Sequence, residues 1–519
     1  MSAWSNIRIV GVKAYVLPLR ARMPFRFGIS CVTRVPHVIV RVEVAENGRR
    51  AAGVAADNLM PKWFTKSPDT TFREDVDELR ESILSACEVA RAAGEGGTVF
   101  ALWHEVHGEQ LRRGDARGWP HLLANFGASL IERALIDAAC RLHGLTFHDA
   151  LVRNFPGIRL EAIYPELEGT APAEAVPSGP VSHMRVRHTI GLTDPLTRED
   201  LKAGDWPRDG LPVCLEDVIA CHGIRRFKIK VSDDTGKNID RLRAIAAVID
   251  AAPGDGDAVF TLDGNESWRT PEAFEDFWCS AMKDTILKNW FRRLRFVEQP
   301  LHRDCALDGE GIRAMRERLR GAGPVPPVII DESDADTDTL ARALAAGYAG
   351  TTHKNCKGVF KSVANLALLH RRARRLASRG EGAGILSGED LTNVGPVALL
   401  EDLCVAGALG IDDLERNGHH YFAGLGGFPP ELREPAARHH ADVFTSVVAG
   451  GAGSGEAPSH GDGLATVRIV AGRIECASLH RRPGLGPAEL ANPSALPSLE
   501  NDADWAAVLG ALAASPDED

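Results

Sequence analysis

Arg226-Phe227-Lys228-Ile229-Lys230 is a short strand-like run in which two lysines, two residues apart, project from one face. Working outward from it, charged residues recur directly after other short apolar runs. Asp263-Gly264-Asn265 follows residues 258–262, Glu298-Gln299-Pro300 follows 294–297, and Asp331-Glu332-Ser333 follows 327–330. His353-Lys354-Asn355-Cys356-Lys357-Gly358 then follows 349–352. Charged side chains at the C-terminal ends of successive strands predict an α/β chain folded as a (β/α)8-type barrel, whose strand ends converge on one face. Three carboxylates bracketed by lysines read as a divalent-metal site flanked by proton-transfer groups.

The barrel strands are expected to end near Gly191, Lys230, Asp263, Glu298, Asp331, Lys354, Gly388 and Glu415, with helical runs such as 238–251, 271–278 and 362–378 between them. A barrel typically takes about 250 residues, so a chain of 519 residues has room for a second domain. Three strand-like runs, 7–19, 37–44 and 50–55, and a helical stretch at 72–93 predict an N-terminal α+β unit. Asn47-Gly48 is a hairpin turn signal within it. A further helix is read over 122–142, ended by His143-Gly144. Residues 166–180, 450–463 and 487–519 are biased in composition and read as flexible loops or linkers, with a short helix of unknown partner over 503–514.

Sixty basic against 71 acidic residues give a formal charge of −11 with no dense basic cluster, which argues against nucleic acid as a partner. The N-terminus lacks a signal-peptide pattern and no uncharged apolar run approaches about 18 residues, so a soluble, cytoplasmic protein without a membrane partner is expected. Ten cysteines are scattered without a C-x-x-C pair and read as reduced core thiols.

In these motifs the chain resembles the enolase superfamily, of the mandelate racemase/muconate lactonizing enzyme type. That type carries Lys-x-Lys on the second barrel strand, carboxylate metal ligands closing the third, fourth and fifth, and a lysine closing the sixth. Met23-Pro24-Phe25-Arg26-Phe27-Gly28 resembles its mobile loop over the active site, and Arg482-Pro483-Gly484-Leu485-Gly486 its C-terminal return to the cap. The resemblance implies a capping domain over 1–121, a catalytic barrel over 122–430, a return to the cap over 431–486 and a flexible tail over 487–519. It also implies Mg2+ on Asp263, Glu298 and Asp331, with Glu332 a supporting neighbour of the third ligand. An all-oxygen donor set agrees with magnesium.

Lys230 takes the family's acid/base role, Lys228 that of its electrostatic partner, and Lys354 that of the opposing lysine, with Lys357 a nearby rival. Repulsion between Lys228 and Lys230 is expected to lower the pKa of one of them. Asn265 either contacts substrate or merely closes a turn, and Arg26 either pairs with a distal substrate carboxylate or covers the cap surface. His353 should point away from the site, and the 418–421 segment, rich in histidine, reads as polar packing rather than a second metal site.

Substrate choice falls to residues 23–31, to Glu389 within 386–390 and to Asp413-x-Glu415, a near match to the Asp-x-Asp with which dipeptide epimerases of the family hold an ammonium. The parts imply abstraction of the proton next to a carboxylate through an enediolate, giving racemisation or epimerisation of a small carboxylate. An acid-sugar dehydratase or a cycloisomerase would use the same residues, and a non-catalytic ligand-binding barrel is the reading from another class. No motif encodes an oligomeric state, although such barrels commonly form homo-oligomers.

Overall fold

A computed structural model of the chain describes residues 6–513, apart from 95, 204–205, 254–257, 310, 322–324, 377–383, 448–463 and 491. The expected loop at 450–463 therefore lies outside the described residues.

Three antiparallel strands, β1 (Arg8–Phe27), β2 (Ser30–Glu46) and β3 (Arg49–Asn58), form the N-terminal sheet. Asn47 and Gly48 turn β2 into β3 with φ of 49° and 76°, as a tight hairpin turn requires. The expected loop at 23–31 is instead the tip of the β1–β2 hairpin, with Phe25 paired to Val32 and Phe27 to Ser30. Helices α1 (Phe72–Ala92), α2 (Val99–Arg117) and α3 (His121–His143) pack behind the sheet. Thr71 and Glu74 close a reciprocal capping box at the start of α1. Gly53 of β3 lets α3 approach closely, because a Cβ there would lie 2.2 Å from both the Ala134 carbonyl oxygen and the Ala138 nitrogen.

The barrel follows as eight parallel strands: β4 (His183–Ile190), β5 (Arg226–Lys230), β6 (Val259–Asp263), β7 (Leu294–Glu298), β8 (Val328–Ile330), β9 (Gly350–His353), β10 (Ile385–Gly388) and β11 (Asp413–Glu415). It closes by pairing β11 with β4. The observed strand ends lie within one residue of every expected end. Helices such as Thr235–Ala251, Pro271–Lys283 and Val359–Leu376 alternate with the strands and bury one face against them. Beyond the eight strands, β12 (Phe444–Val447) pairs with β13 (Leu464–Val467), and β14 (Arg473–Glu475) runs antiparallel along the start of β4.

Buried Arg133 of α3 locks cap to barrel, bonding the Ala56 carbonyl at 3.1 Å and Glu401 at 3.1 Å and pairing with Asp57. The 482–486 return docks on the same helix, where Asp137 accepts from the Leu485 N–H at 2.8 Å.

Two expectations of flexibility are corrected. Residues 165–174 form two short 3-10 turns that bury Leu167, and the stretch continues into buried Val176. The tail forms a helix, Asp502–Ala513, that lies on β1 and β2. Its Trp505, Val508, Leu509 and Leu512 are buried, the Trp505 indole donates to Asp77 at 2.7 Å, and Arg34 donates to the Leu512 carbonyl. Apolar burial of this stripe outweighs the acidic composition that suggested disorder. Among the described residues, no helix is long and apolar enough to cross a membrane.

Candidate active site

The C-terminal ends of the barrel strands hold a dense, buried array of opposite charges. Lys228, near the end of β5, extends its ammonium among four carboxylates: Glu298 and Glu389 at 2.8 Å, Glu415 at 2.9 Å and Asp263 at 3.0 Å. Lys230, one pleat higher, donates to Asp263 at 2.6 Å. Across the barrel, Lys354 follows β9 and donates to Asp331 at 2.6 Å, with Glu389 at 3.3 Å. Lys357 also reaches Asp331, at 2.8 Å, and donates to Thr352 at 2.6 Å.

These contacts set the electrostatics of Lys228. Burial opposes a charge on Lys228, but the fields of Asp263, Glu298, Glu389 and Glu415 outweigh it and raise its pKa well above the ordinary value. Lys228 is therefore held as an ammonium and is not depressed by its neighbour. Lys354 is likewise raised, against burial, by Asp331 and Glu389.

Glu298, Asp331 and Glu389 bring one carboxylate oxygen each within 4.8 Å of the others, all three being buried. Glu298 Oε2 is buried without a hydrogen-bond partner. Burial, then Asp263, Glu389 and Asp331, push the Glu298 carboxyl well above the carboxylate range, which marks unbalanced negative charge. Three hard carboxylate oxygens, with an unpartnered oxygen on Glu298, fit a divalent cation. Of the expected ligands, Glu298 and Asp331 belong to this trio together with Glu389, while Asp263 lies beside it, paired with Lys228 and Lys230.

The other expected residues divide. Asn265 sits at φ 40° after β6, donates its backbone N–H to Asp263 at 2.8 Å and its side-chain amide to Glu332 at 3.0 Å, so Glu332 is a buried neighbour of the array. Burial and Asp331 raise the Glu332 carboxyl to about 7. Glu415 joins the array through Lys228 and Thr189. Asp413 does not. It lies one pleat below, bonded to Arg187 at 2.7 Å and near Arg226 at 3.5 Å, so the pair cannot clamp a substrate ammonium. Of the two readings of Arg26, the structure agrees with cover of the cap surface: alternation along β1 buries Phe25 and Phe27 and leaves Arg26 exposed. His353 faces outward and bonds Ser362 at 2.8 Å. His419 and His420 pack against His188, with His188 and His419 nitrogens 3.4 Å apart, and burial depresses all three imidazoles.

The cap completes the site. Phe25, Phe27, Met60 and Trp63 roof a cavity of about 30 Å³ that Lys230, Lys354, Asn265 and Glu415 also line. Trp63 lies 4.6 Å from the Lys354 ammonium, and Phe27 lies 5.8 Å from that of Lys230. Arg22 ties the hairpin down, bonding Asp209 at 2.6 Å and the His420 carbonyl at 2.9 Å. Arg187, which links Asp413 to Ser387 at 2.7 Å and approaches Glu389, gave no signal in the sequence, because it sits mid-strand without a neighbouring motif.

No protein-family model and no curated protein sequence matches the chain. Solved structures do match. An enolase from Bradyrhizobium complexed with magnesium and mandelic acid is 16% identical, with a TM-score of 0.53 over 93% of this chain and 96% of its own. The N-succinyl Arg/Lys racemase from Bacillus cereus is 14% identical, with a TM-score of 0.54 over 93% and 95%. A mandelate racemase/muconate lactonizing protein from Herpetosiphon aurantiacus is 17% identical, with a TM-score of 0.55 over 92% and 98%. The chain has the capped-barrel fold of the enolase superfamily.

Proposed function

We propose that the protein is an enolase-superfamily enzyme that moves a proton at the carbon next to a carboxylate. One observation carries this reading: Lys230 and Lys354, from the second and sixth barrel strands, line a single roofed cavity beside a buried cluster of carboxylates. Glu298, Asp331 and Glu389 would hold a divalent cation, with Mg2+ the ion that an all-oxygen set favours. Such an ion, when bound, supplies positive charge against the negative charge that develops on a substrate carboxylate.

The chain's own groups do the rest. Lys230 removes the proton from one side of the carbon, and Lys354 delivers one to the other, which gives racemisation or epimerisation. Lys228 is fixed by four acids and serves as a standing positive charge, while Phe25, Phe27 and Trp63 exclude water from the carbon being ionised. The aromatic side chains that roof Lys230 and Lys354 would face an apolar substituent of the substrate. Dehydration and cycloisomerisation are alternatives, since one lysine can act as base while the other stays an ammonium.

The test is a turnover screen of acid-sugar, dipeptide and N-acyl amino-acid libraries with Mg2+ in heavy water. Solvent deuterium at the carbon next to the carboxylate, lost from opposite enantiomers in Lys230→Ala and Lys354→Ala, is the expected result. Loss of a hydroxyl to give a keto acid would reassign the enzyme as a dehydratase. Turnover of a substrate with no exchange or bond cleavage at that carbon would refute the mechanism.

A further inference from the structure

The opposite end of the barrel holds a second, larger cavity. It has a volume of about 810 Å³ and is lined by the N-terminal halves of the strands, among them Arg185, Arg187, Arg226, Thr261, Arg295 and Phe296. This volume is that of a site for a small organic molecule. An adjoining hollow of about 410 Å³ shares Arg185, Arg226 and Arg295 and adds Arg225 and Arg473, with no acidic residue among the described residues of its wall. Arg473 comes from β14, the strand added beside β4.

Positive charge here exceeds what the acids nearby balance. Asp412 pairs with Arg185 at 2.9 Å, and Asp413 is shared by Arg187 at 2.7 Å and Arg226 at 3.5 Å. Among the described residues, Glu174 is the remaining acid in the wall. Arg295 and Arg473 stand exposed at the rim, and neither has an ion-pair partner among the described residues.

Two buried polar groups in the wall are also unsatisfied. The Arg187 side chain is 4% exposed, yet its Nε–H finds no acceptor, although its Nη groups bond Asp413, Ser387 and the Gly388 carbonyl. Thr261 is 2% exposed and its hydroxyl is likewise unpartnered. A buried donor left without an acceptor is destabilising. Both groups line the cavity that carries the excess of guanidinium groups.

We propose that this N-terminal cavity is a binding site for a phosphate-bearing small molecule. The rim arginines would take the phosphate oxygens in bidentate pairs. Thr261 and Arg187 would hydrogen-bond the deeper oxygens, and apolar wall residues such as Phe296, Leu366 and Leu369 would face an organic group. The site stands apart from the carboxylate cluster and does not depend on the catalytic reading.

The experiment is isothermal titration of the full-length protein with inorganic pyrophosphate and, separately, with ADP, using sulfate as the control. Saturable binding of either probe, tighter than that of sulfate, is expected. Arg295→Glu should weaken it tenfold or more. Thr261→Val should weaken it several-fold without lowering the unliganded thermal midpoint, because the variant removes a hydroxyl that has no partner in the protein. Tighter binding of ADP than of pyrophosphate identifies an organic phosphate, and the reverse order identifies the free anion. Absence of saturable binding, or equal affinity in both variants and wild type, would overturn the site. Loss in Arg295→Glu with none in Thr261→Val would confine the anion to the rim and overturn the buried seat.

Discussion

The two ends of the barrel use charge in opposite ways. At the C-terminal end, Lys228, Lys230, Lys354 and Lys357 interleave with Asp263, Glu298, Asp331, Glu389 and Glu415, all buried beneath an aromatic roof. At the N-terminal end, arginines outnumber the acids around a wide cavity, and Arg295 and Arg473 remain in water. Compact ammonium groups can be enclosed where carboxylates surround them on every side, whereas planar guanidinium groups suit the recognition of an oxyanion arriving from outside. Arg187 spans the divide, with one Nη on Asp413 and the other beside Ser387 and Glu389.

The largest expected effect comes from Lys228→Met, which leaves four buried carboxylates facing one another without their shared ammonium. Unfolding free energy from urea titration should fall by about 3–5 kcal/mol, the cost of breaking a buried charge network. Arg187→Met should cost less, since Asp413 is 31% exposed and can take up water. Equal losses would erase the distinction between a sealed and a solvated end.

Next in size is Trp505→Ala. Only the C-terminal end has a cap, and the tail helix adds a layer to that cap, so removing its buried indole should lower stability by about 3 kcal/mol. An unchanged urea midpoint would mean that the tail contributes nothing to the covered end.

A smaller effect decides the metal set. In wild type, Mg2+ should raise the thermal midpoint, as binding to the folded state alone requires. Glu389→Gln should weaken the apparent affinity by about tenfold, near 1.4 kcal/mol, and more than Asp263→Asn does. The reverse order would return Asp263 to the ligand set that strand order suggested and leave Glu389 as a partner of Lys228 and Lys354.

The smallest effect tests the open end. Arg295→Gln should change stability by no more than ~0.5 kcal/mol, with any gain at low salt disappearing as screening rises. A large loss in denaturant titration would show that Arg295 is built into the fold and is not waiting for an anion.

What could be read beforehand followed from periodicity. Charges after short apolar runs marked the strand ends because the barrel's C-terminal face collects polar groups while the strands between them are buried. The same logic, applied further, reaches the strand at the hairpin tip and the apolar face of the helix already read in the tail. Phe25 and Phe27 alternate with Arg26 in the period of a strand, and Trp505, Val508, Leu509 and Leu512 fall at the spacing of one helical face, despite the surrounding prolines and acids. Arg187 and the placement of Asp413 were not legible, because which layer of a barrel interior a residue occupies depends on the stagger between strands, and that is a property of the closed sheet. Glu389 was read as a neighbour of substrate rather than of the metal cluster for the same reason: its distance to Glu298 and Asp331 is set across the barrel, not along the chain.

The docked tail has a mechanical consequence. Arg20 and Arg34 face each other in the β1–β2 ladder, and both are fastened to the last turn of the tail helix, through the carbonyls of Ala511 and Leu512. The hairpin beyond them is fastened again by Arg22 to Asp209 and the His420 carbonyl, with Phe25 and Phe27 at its tip. A helix near one end of the chain thus braces the base of the hairpin, near the other end, whose tip roofs the barrel mouth.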